Sequence, residues 1–290
     1  MNTLVIGATG FIGKNFIRCT KIKNIYKTSS KRKKGFIKFD LRTDNILELI
    51  KSKNIKKVLF LSAISNPYEC ELNLKNSNLI NVTYTKKILN VLIKKNIYFI
   101  FFSSEYVFDG KKGNYSERST PKTKLLYGNQ KLNIEKFLYT KINKKFAIFR
   151  IAKTYGGDIG DKSIFVEFLK SAKKLKKIPV AFDQQFSALY VKDLIKIIDV
   201  FFKRKIKGTY NVCGDENLSR YEYCKKILEK FNLKKVNLIK KNFLSMSKSK
   251  MIPLNVTMNN KKIKKKINFR FTKFDFFLNI LKKKYQNENN

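Results

Sequence analysis

The chain has no histidine and no tryptophan, and it holds only 4 Pro, 4 Cys and 12 Gly in 290 residues. Without histidine there is no Ser-His-Asp or Cys-His catalysis, no imidazole base and no His-ligated metal. Proton chemistry falls to Tyr, Lys, Asp, Glu, Cys or water. The cysteines (Cys19, Cys70, Cys213 and Cys224) form no CxxC pair, which argues against a zinc ribbon or disulfide framework and for a reducing compartment. No metal site is expected, and the expected location is the cytoplasm. No apolar run approaches the roughly 18 residues of a membrane span. The opening MNTLVIGATG lacks a charged n-region and a cleavage site, so no secretory signal is expected. Acidic residues are scarce as well: 21 against 64 basic ones, a net charge of +43. Only eight of the basic residues are Arg, whereas nucleic-acid readers lean on Arg for bidentate and stacked contacts. The lysines are spread along the chain among many Asn, Ile, Phe and Tyr, the residues of AT-rich codons. We read them, the block Lys261–Lys266 included, as a solvated surface and expect no specific nucleic-acid partner. The charge steers anions such as nucleotide phosphates.

Hydrophobic residues make up 43% of the chain, enough for a sizeable core. Short apolar runs predict strands at Thr3–Ile6, Ile25–Lys27, Phe36–Phe39, Val58–Leu61, Tyr98–Ser103 and Phe146–Ile151. Helical spacing predicts helices at Phe11–Cys19, Asn45–Ile50, Leu125–Ile142 and, as one long element, Asn76–Lys95. This alternation implies an α/β fold: a doubly wound parallel (Rossmann) sheet with a smaller C-terminal substrate-binding lobe. We expect residues 1–155 to form the dinucleotide domain, with 186–212 returning to it, and residues 156–185 and 213–290 to form the lobe. The second half predicts helices at Ile164–Leu175, Val191–Phe202, Tyr221–Phe231 and around Phe274–Leu281, and strands at Ile178–Phe182 and Thr209–Val212. Ser219 and Glu222 have capping-box spacing. Leu233–Asn290 is otherwise weakly patterned.

Gly7-Ala-Thr-Gly10-Phe-Ile-Gly13 follows the first strand and opens the first helix. A GxxGxxG triple arises by chance about 0.02 times in such a chain. Glycines allow the tight turn and let backbone N–H groups approach a pyrophosphate at the positive end of the helix dipole. Gly7, Thr9, Gly10, Phe11, Ile12 and Gly13 are therefore candidate cofactor contacts. A P-loop is excluded, because Ala8 and Asn15 stand where Gly and Ser/Thr are needed. The second strand ends in Thr28-Ser-Ser30-Lys-Arg32, with no carboxylate for a ribose 2′-hydroxyl. Ser30 and Arg32 suit a 2′-phosphate, so NADPH is the expected cofactor and NADH the alternative.

Two YxxxK pairs occur, Tyr127/Lys131 and Tyr221/Lys225, where about three are expected by chance. Position separates them. Tyr127 follows the fifth strand, whose end reads Ser103-Ser104-Glu105-Tyr106-Val107-Phe108-Asp109-Gly110, and ligands of doubly wound sheets bind at carboxyl strand ends. Residues i and i+4 share a helix face. The ammonium one turn away, together with the positive nicotinamide of an oxidised cofactor, is expected to lower the phenol pKa, so that Tyr127 can exchange a proton with a carbonyl or alcohol oxygen while a Ser hydroxyl holds that oxygen. Tyr221/Lys225 reads as structural.

GATGFIG, SSEYVFDG and YGNQK, in this order, resemble an extended short-chain dehydrogenase/reductase of the dTDP-4-dehydrorhamnose reductase family, whose pattern is STDYVFDG followed by YGxTK. The likeness covers about residues 3–230. Phe39-Asp40-Leu41 is similar to the family's adenine-contacting Asp-Leu, Ala63-Ile64 to its cofactor-lining loop, Asn81-Val82 to its helix asparagine, and Arg150 to Gly156 to its Arg…Tyr-Gly segment. The resemblance implies that Tyr127 donates a proton to a sugar C4 carbonyl oxygen. It also implies that Lys131 lowers the Tyr127 pKa and holds the nicotinamide ribose, and that Ser104 hydrogen-bonds the carbonyl while NADPH supplies hydride. Tyr127 and Lys131 thus count as cofactor contacts as well. Substrate contacts implied are Ser104, Glu105, Val107, Phe108, Lys153 and Gln185. Three positions depart from the family: Glu105 replaces Asp, Lys153 stands where Trp is frequent, and Ile252 stands where a basic residue is frequent. Tyr106 stands where nucleotide-sugar dehydratases carry an acid, so elimination lacks its base. The implied partner is a nucleotide-sugar substrate in polysaccharide precursor synthesis, and a homodimer is compatible with the resemblance. The alternatives are a nucleotide-sugar epimerase, or a non-catalytic NADP-binding subunit like the regulatory subunits of methionine adenosyltransferase.

Overall fold

The structure is a computed structural model describing residues 1–142, 145–158 and 163–287. The parts of the expected lobe at 159–162 and 288–290 lie outside the described residues. The chain divides into two compact units. The first holds Met1–Val107, Pro121–Arg150 and Leu194–Tyr210; the second holds Phe108–Thr120, Ile151–Asp193 and Asn211–Asn290.

The first unit begins with β1 (Asn2–Ile6), α1 (Phe11–Cys19), β2 (Ile25–Ser29) and β3 (Ile37–Lys38). Next come α2 (Ile46–Ser52), β4 (Ile55–Phe60) and a divided helical stretch, α3 (Pro67–Leu72) and α4 (Leu74–Asn78). A π-helical segment at Leu79–Tyr84 joins α4 to α5 (Thr85–Lys94). β5 (Tyr98–Ser104), α6 (Leu126–Tyr139) and β6 (Phe146–Ile151) complete the series. The strands form a seven-stranded sheet in the order Gly208–Val212, β6, β5, β4, β1, β2, β3. β3–β2, β2–β1, β1–β4 and β4–β5 all pair in parallel. The order reverses between β1 and β4, which opens a crevice at their carboxyl ends. β5 is buried along its whole length, as a central parallel strand covered by helices should be. Leu4, Ile6, Val58, Phe60, Phe99, Phe101 and Ile148 meet Ile88, Leu92, Ile134 and Leu138 of the covering helices in one core.

The expected helix Asn76–Lys95 is present as unbroken helical structure from Leu74 to Lys94, but its middle, Leu79–Tyr84, is π-helical. Asn66 caps α3, with Pro67 in its first turn. Asn73 then sits at φ −130°, ψ 67°, outside helical geometry, and its side chain accepts from the Asn76 amide to start α4. Continuous helical periodicity hides the π-helical segment.

In the second unit, rings of Tyr155, Phe165, Tyr223, Phe274 and Phe277 pack at centroid distances of 4.6–5.8 Å. Lys177–Ala181 pairs in parallel with Asn237–Lys241, a strand the sequence reading lacked. A helix at Lys261–Ile267 was also not foreseen; it buries only Ile263 and ends on Asn268 in the left-handed region. The Ser219/Glu222 capping box is formed, with bonds of 2.6 and 3.1 Å. Among the described residues no helix is long and apolar enough to cross a membrane.

Candidate active site

The glycine loop lies at the end of β1. Gly7 has φ +85°, and a Cβ there would sit 2.8 Å from the Ser62 amide nitrogen, so this residue must be glycine for both conformation and space. A Cβ on Gly13 would come within 2.7 Å of Ala8, which explains the close approach of α1 to the loop. Gly10 is different. It is the N-cap of α1 and has room for a Cβ, meeting only the Gly7 carbonyl oxygen at 3.5 Å. No side chain caps this helix, and its first turn carries no acid. The backbone donors there keep their dipole and have open space beside them, a cradle that fits the diphosphate of a dinucleotide. Thr9, Phe11 and Ile12 are half-buried around it.

Ser30 and Arg32 are exposed beyond the end of β2. Asp40 is engaged in a way the sequence did not reveal. Arg42 donates to its carboxylate at 2.7–3.2 Å, and this bonding holds the Asp40 carboxyl below its usual value. Leu41 packs against the sheet core. Ala63 and Ile64 follow β4 and are half-buried. Both backbone groups of Ile64 bond to the side chain of Asn81, at 2.9 Å each.

Ser104 ends β5, and its hydroxyl accepts from the Tyr106 amide at 3.2 Å. The neighbouring Ser103 is turned to other use: its hydroxyl donates to Glu135 at 2.5 Å. Gly128 explains how α6 reaches this strand end. A Cβ on it would lie 2.0 Å from the Tyr106 carbonyl oxygen, so the first turn of α6 crosses the chain after Ser104 in direct contact. Tyr127 therefore meets the Tyr106 ring edge-on at 6.5 Å. The Lys131 ammonium lies 5.6 Å from the Tyr127 ring centroid and 4.9 Å from that of Phe101. Tyr127 is 8% exposed and Lys131 5%.

This burial corrects the expected acid–base balance. Desolvation pushes the Tyr127 phenol well above its ordinary value, with Cys70, Tyr106 and Glu105 adding to the effect. Desolvation also pushes Lys131 down to about 8, against the smaller pull of Cys70 and Glu135. The lysine does not depress the tyrosine here; burial governs both.

Glu105 and Val107 are buried in the first unit. In the second unit Phe108 is buried and stacked on Tyr115 at 4.3 Å, whereas Lys153 and Gln185 are exposed. Tyr221 and Lys225 also lie in the second unit, on the helix Arg220–Lys230.

Sequence reading missed two buried networks. Arg150 grips Glu135 at 2.6–3.2 Å beneath Ser103. Gln130 bonds Asn81 at 2.7 Å. One signal was available: Tyr127, Lys131 and Glu135 recur at i, i+4 and i+8, and Gln130 falls at i+3.

A glycine cradle at the switch point of a doubly wound sheet, with a Tyr/Lys helix after the fifth strand, is the architecture of the extended short-chain dehydrogenase/reductases. Within that class the chain belongs to the family described as RmlD substrate binding domain, whose profile matches residues 1–286. This is a family of nucleotide-sugar reductases resembling dTDP-4-dehydrorhamnose reductase. The chain is 24% identical over 241 residues to dTDP-4-dehydrorhamnose reductase of Aggregatibacter actinomycetemcomitans, covering 80% of each. It is 26% identical over 241 residues to methionine adenosyltransferase 2 subunit beta of Xenopus laevis, covering 79% of this chain and 72% of that protein. Among solved structures, dTDP-4-dehydrorhamnose reductase of Bacillus anthracis in complex with NADP superposes with a TM-score of 0.84 at 20% identity, over 97% of this chain and 99% of that one.

Proposed function

We propose that the protein reduces the C4 keto group of a nucleotide-activated deoxysugar with NADPH, in polysaccharide precursor synthesis. The observation that supports this reading is the contact of Gly128 with the Tyr106 carbonyl, which brings the first turn of α6, with Tyr127, against the chain just after Ser104. The cradle at Gly10 would hold the dinucleotide diphosphate, and Arg32 with Ser30 would favour a 2′-phosphate. When bound, the reduced nicotinamide supplies hydride. Ser104 donates a hydrogen bond to the carbonyl oxygen, and Tyr127 delivers a proton to that oxygen as it gains negative charge. A phenol whose pKa is raised by burial stays protonated through neutral pH, the form a reductase needs. Lys131 would hold the nicotinamide ribose and steady the phenolate that proton transfer leaves.

The likeness to methionine adenosyltransferase 2 subunit beta favours a second reading, a dinucleotide-binding subunit without turnover. The buried Tyr127/Lys131 pair weighs against it, because a buried ammonium is costly where it has no chemical task.

The test is to mix the protein with a dTDP-4-keto-6-deoxy sugar and NADPH or NADH and follow absorbance of the reduced nicotinamide. Sugar-dependent oxidation, faster with NADPH, is expected. Dinucleotide binding without turnover on any nucleotide 4-keto sugar would overturn the reductase reading in favour of the subunit. Tighter NADH binding would overturn the cofactor preference.

A further inference from the structure

The first unit holds a second buried polar cluster that the proposed proton transfer does not use. Gln130 lies between Tyr127 and Lys131 in sequence and is 2% exposed. Its carbonyl oxygen accepts from the Asn81 amide at 2.7 Å. Its own amide donates to Ser77 Oγ at 2.9 Å and to Asn78 Oδ1 at 3.0 Å. Asn81 is also fully engaged: its Oδ1 accepts from the Ile64 amide and its Nδ2 donates to the Ile64 carbonyl oxygen. The Ser77 hydroxyl in turn donates to the Cys70 and Leu74 carbonyl oxygens, at 3.1 Å each. Every polar atom of the two carboxamides has a partner, and flipping either one would set donor against donor.

Four segments meet in this cluster: α6, the loop after β4, α4 with Ser77 and Asn78, and the π-helical segment that carries Asn81. A π-helical segment is rare and frequently lies at a functional site, and here the side chain of Asn81 ties it to the loop after β4 and to α6. The family pattern reads YGxTK, and here the longer Gln130 stands at the Thr position.

We propose that Gln130 is a positioning residue. Acting through Asn81, it locks the Leu61–Ile64 loop to the helix that carries Tyr127 and Lys131, so that the loop and the Tyr/Lys pair present one preformed surface to a nicotinamide dinucleotide. This inference rests on the dinucleotide-dependent reading of the site. A buried network in which every member is satisfied is rigid, and preformed sites bind more tightly because less ordering remains to be done.

The test compares the wild type with Gln130→Met, which keeps length and removes the bonds, and with Gln130→Glu, which keeps the acceptor for Asn81. Leu138→Ala, deep in the same helix, serves as a control for simple loss of packing. In the protein without added ligand, hydrogen exchange of the segment containing the Ile64 amide should speed up about tenfold in Gln130→Met. It should change less in Gln130→Glu than in Gln130→Met and stay unchanged in Leu138→Ala. Titration with NADPH, read by nicotinamide fluorescence, should show Kd raised about tenfold in Gln130→Met only. With the keto sugar, KM for NADPH should rise more than kcat falls. Wild-type exchange at Ile64 and wild-type Kd in Gln130→Met, with only a lowered melting midpoint, would reduce Gln130 to a packing residue. Absence of sugar turnover in the wild type would overturn the reductase reading, while exchange and NADPH titration still decide the role of Gln130. Failure of the wild type to bind NADPH or NADH would sink both.

Discussion

The chain contains the same five-residue pattern twice, and the two copies have opposite surroundings. Tyr127 and Lys131 are buried where the first turn of α6 crosses the end of β5, and both pKa values are displaced by burial. Tyr221 is half-buried, with Lys240 over its ring at 5.1 Å, and Lys225 is exposed, 3.9 Å from Glu229 on the same helix. Spacing alone places a phenol and an ammonium on one helix face in both. What differs is desolvation, and desolvation comes from a glycine: Gly128 follows Tyr127 and allows contact with the Tyr106 carbonyl, whereas Glu222 follows Tyr221 and closes a capping box.

The sharpest way to break this comparison is to remove each phenol oxygen in turn. Tyr127→Phe is expected to lower kcat by about 10²–10⁴-fold, the usual worth of a positioned proton donor, with little change in NADPH affinity. Tyr221→Phe is expected to leave both unchanged. Steady-state rates with the keto sugar decide it, and equal effects of the two substitutions would end the distinction.

The ion pairs beside the two patterns differ in the same way. Glu135 and Arg150 are 0% and 2% exposed at their side chains, whereas Lys225 and Glu229 are 64% and 63% exposed. Glu135→Ala leaves a buried guanidinium without its carboxylate and should cost about 3–5 kcal/mol. Glu229→Ala should stay within about 0.5 kcal/mol. Urea midpoints measure both. A Glu135→Ala protein as stable as the wild type would show that water or a rearranged partner reaches Arg150.

Why position could be read and environment could not is clear from particular residues. Gly7, Gly10 and Gly13 punctuate the end of β1, and the helix Phe11–Cys19 and strand Phe146–Ile151 have the bounds that their patterns predict. The order of strands and helices then fixes which YxxxK copy follows β5. Local pattern does not carry contacts between distant residues. Gln130 and Asn81 are 49 positions apart, and no spacing rule joins them. The π-helical segment Leu79–Tyr84 lies within a stretch whose apolar periodicity stays helical. The helix Lys261–Ile267 is masked because lysine occupies nearly every position around Ile263. The upward shift of the Tyr127 phenol is not legible for the same reason: the sequence displays the ammonium at i+4 but not the burial that outweighs it.

Lys131 gives a pH-dependent form of the contrast. Its folded pKa of about 8 lies below its ordinary 10.5, so the folded state releases a proton that the unfolded state keeps. Stability therefore rises between pH 8 and 10.5, by up to roughly 3 kcal/mol at 1.36 kcal/mol per unit. The high net charge adds a background of the same sign as pH rises, so the informative quantity is a difference. Lys131→Met should be more stable than the wild type at pH 7, and its advantage should shrink above pH 8. Turnover should be lost in that variant. A constant difference from pH 7 to 10.5 would mean that Lys131 titrates normally.

The smallest expected effect concerns the helix under the second pattern. Ser219 accepts from the Glu222 amide and Glu222 accepts from the Ser219 amide, so the cap is reciprocal. Ser219→Ala removes one half of it and should lower stability by about 1 kcal/mol. That change should leave kcat and KM alone, because Tyr221 and Lys225 ride on a helix whose task is packing Tyr223 against Phe274. A drop in turnover without a drop in melting midpoint would give this helix a part in the chemistry, and would make the second pattern more than a repetition of spacing.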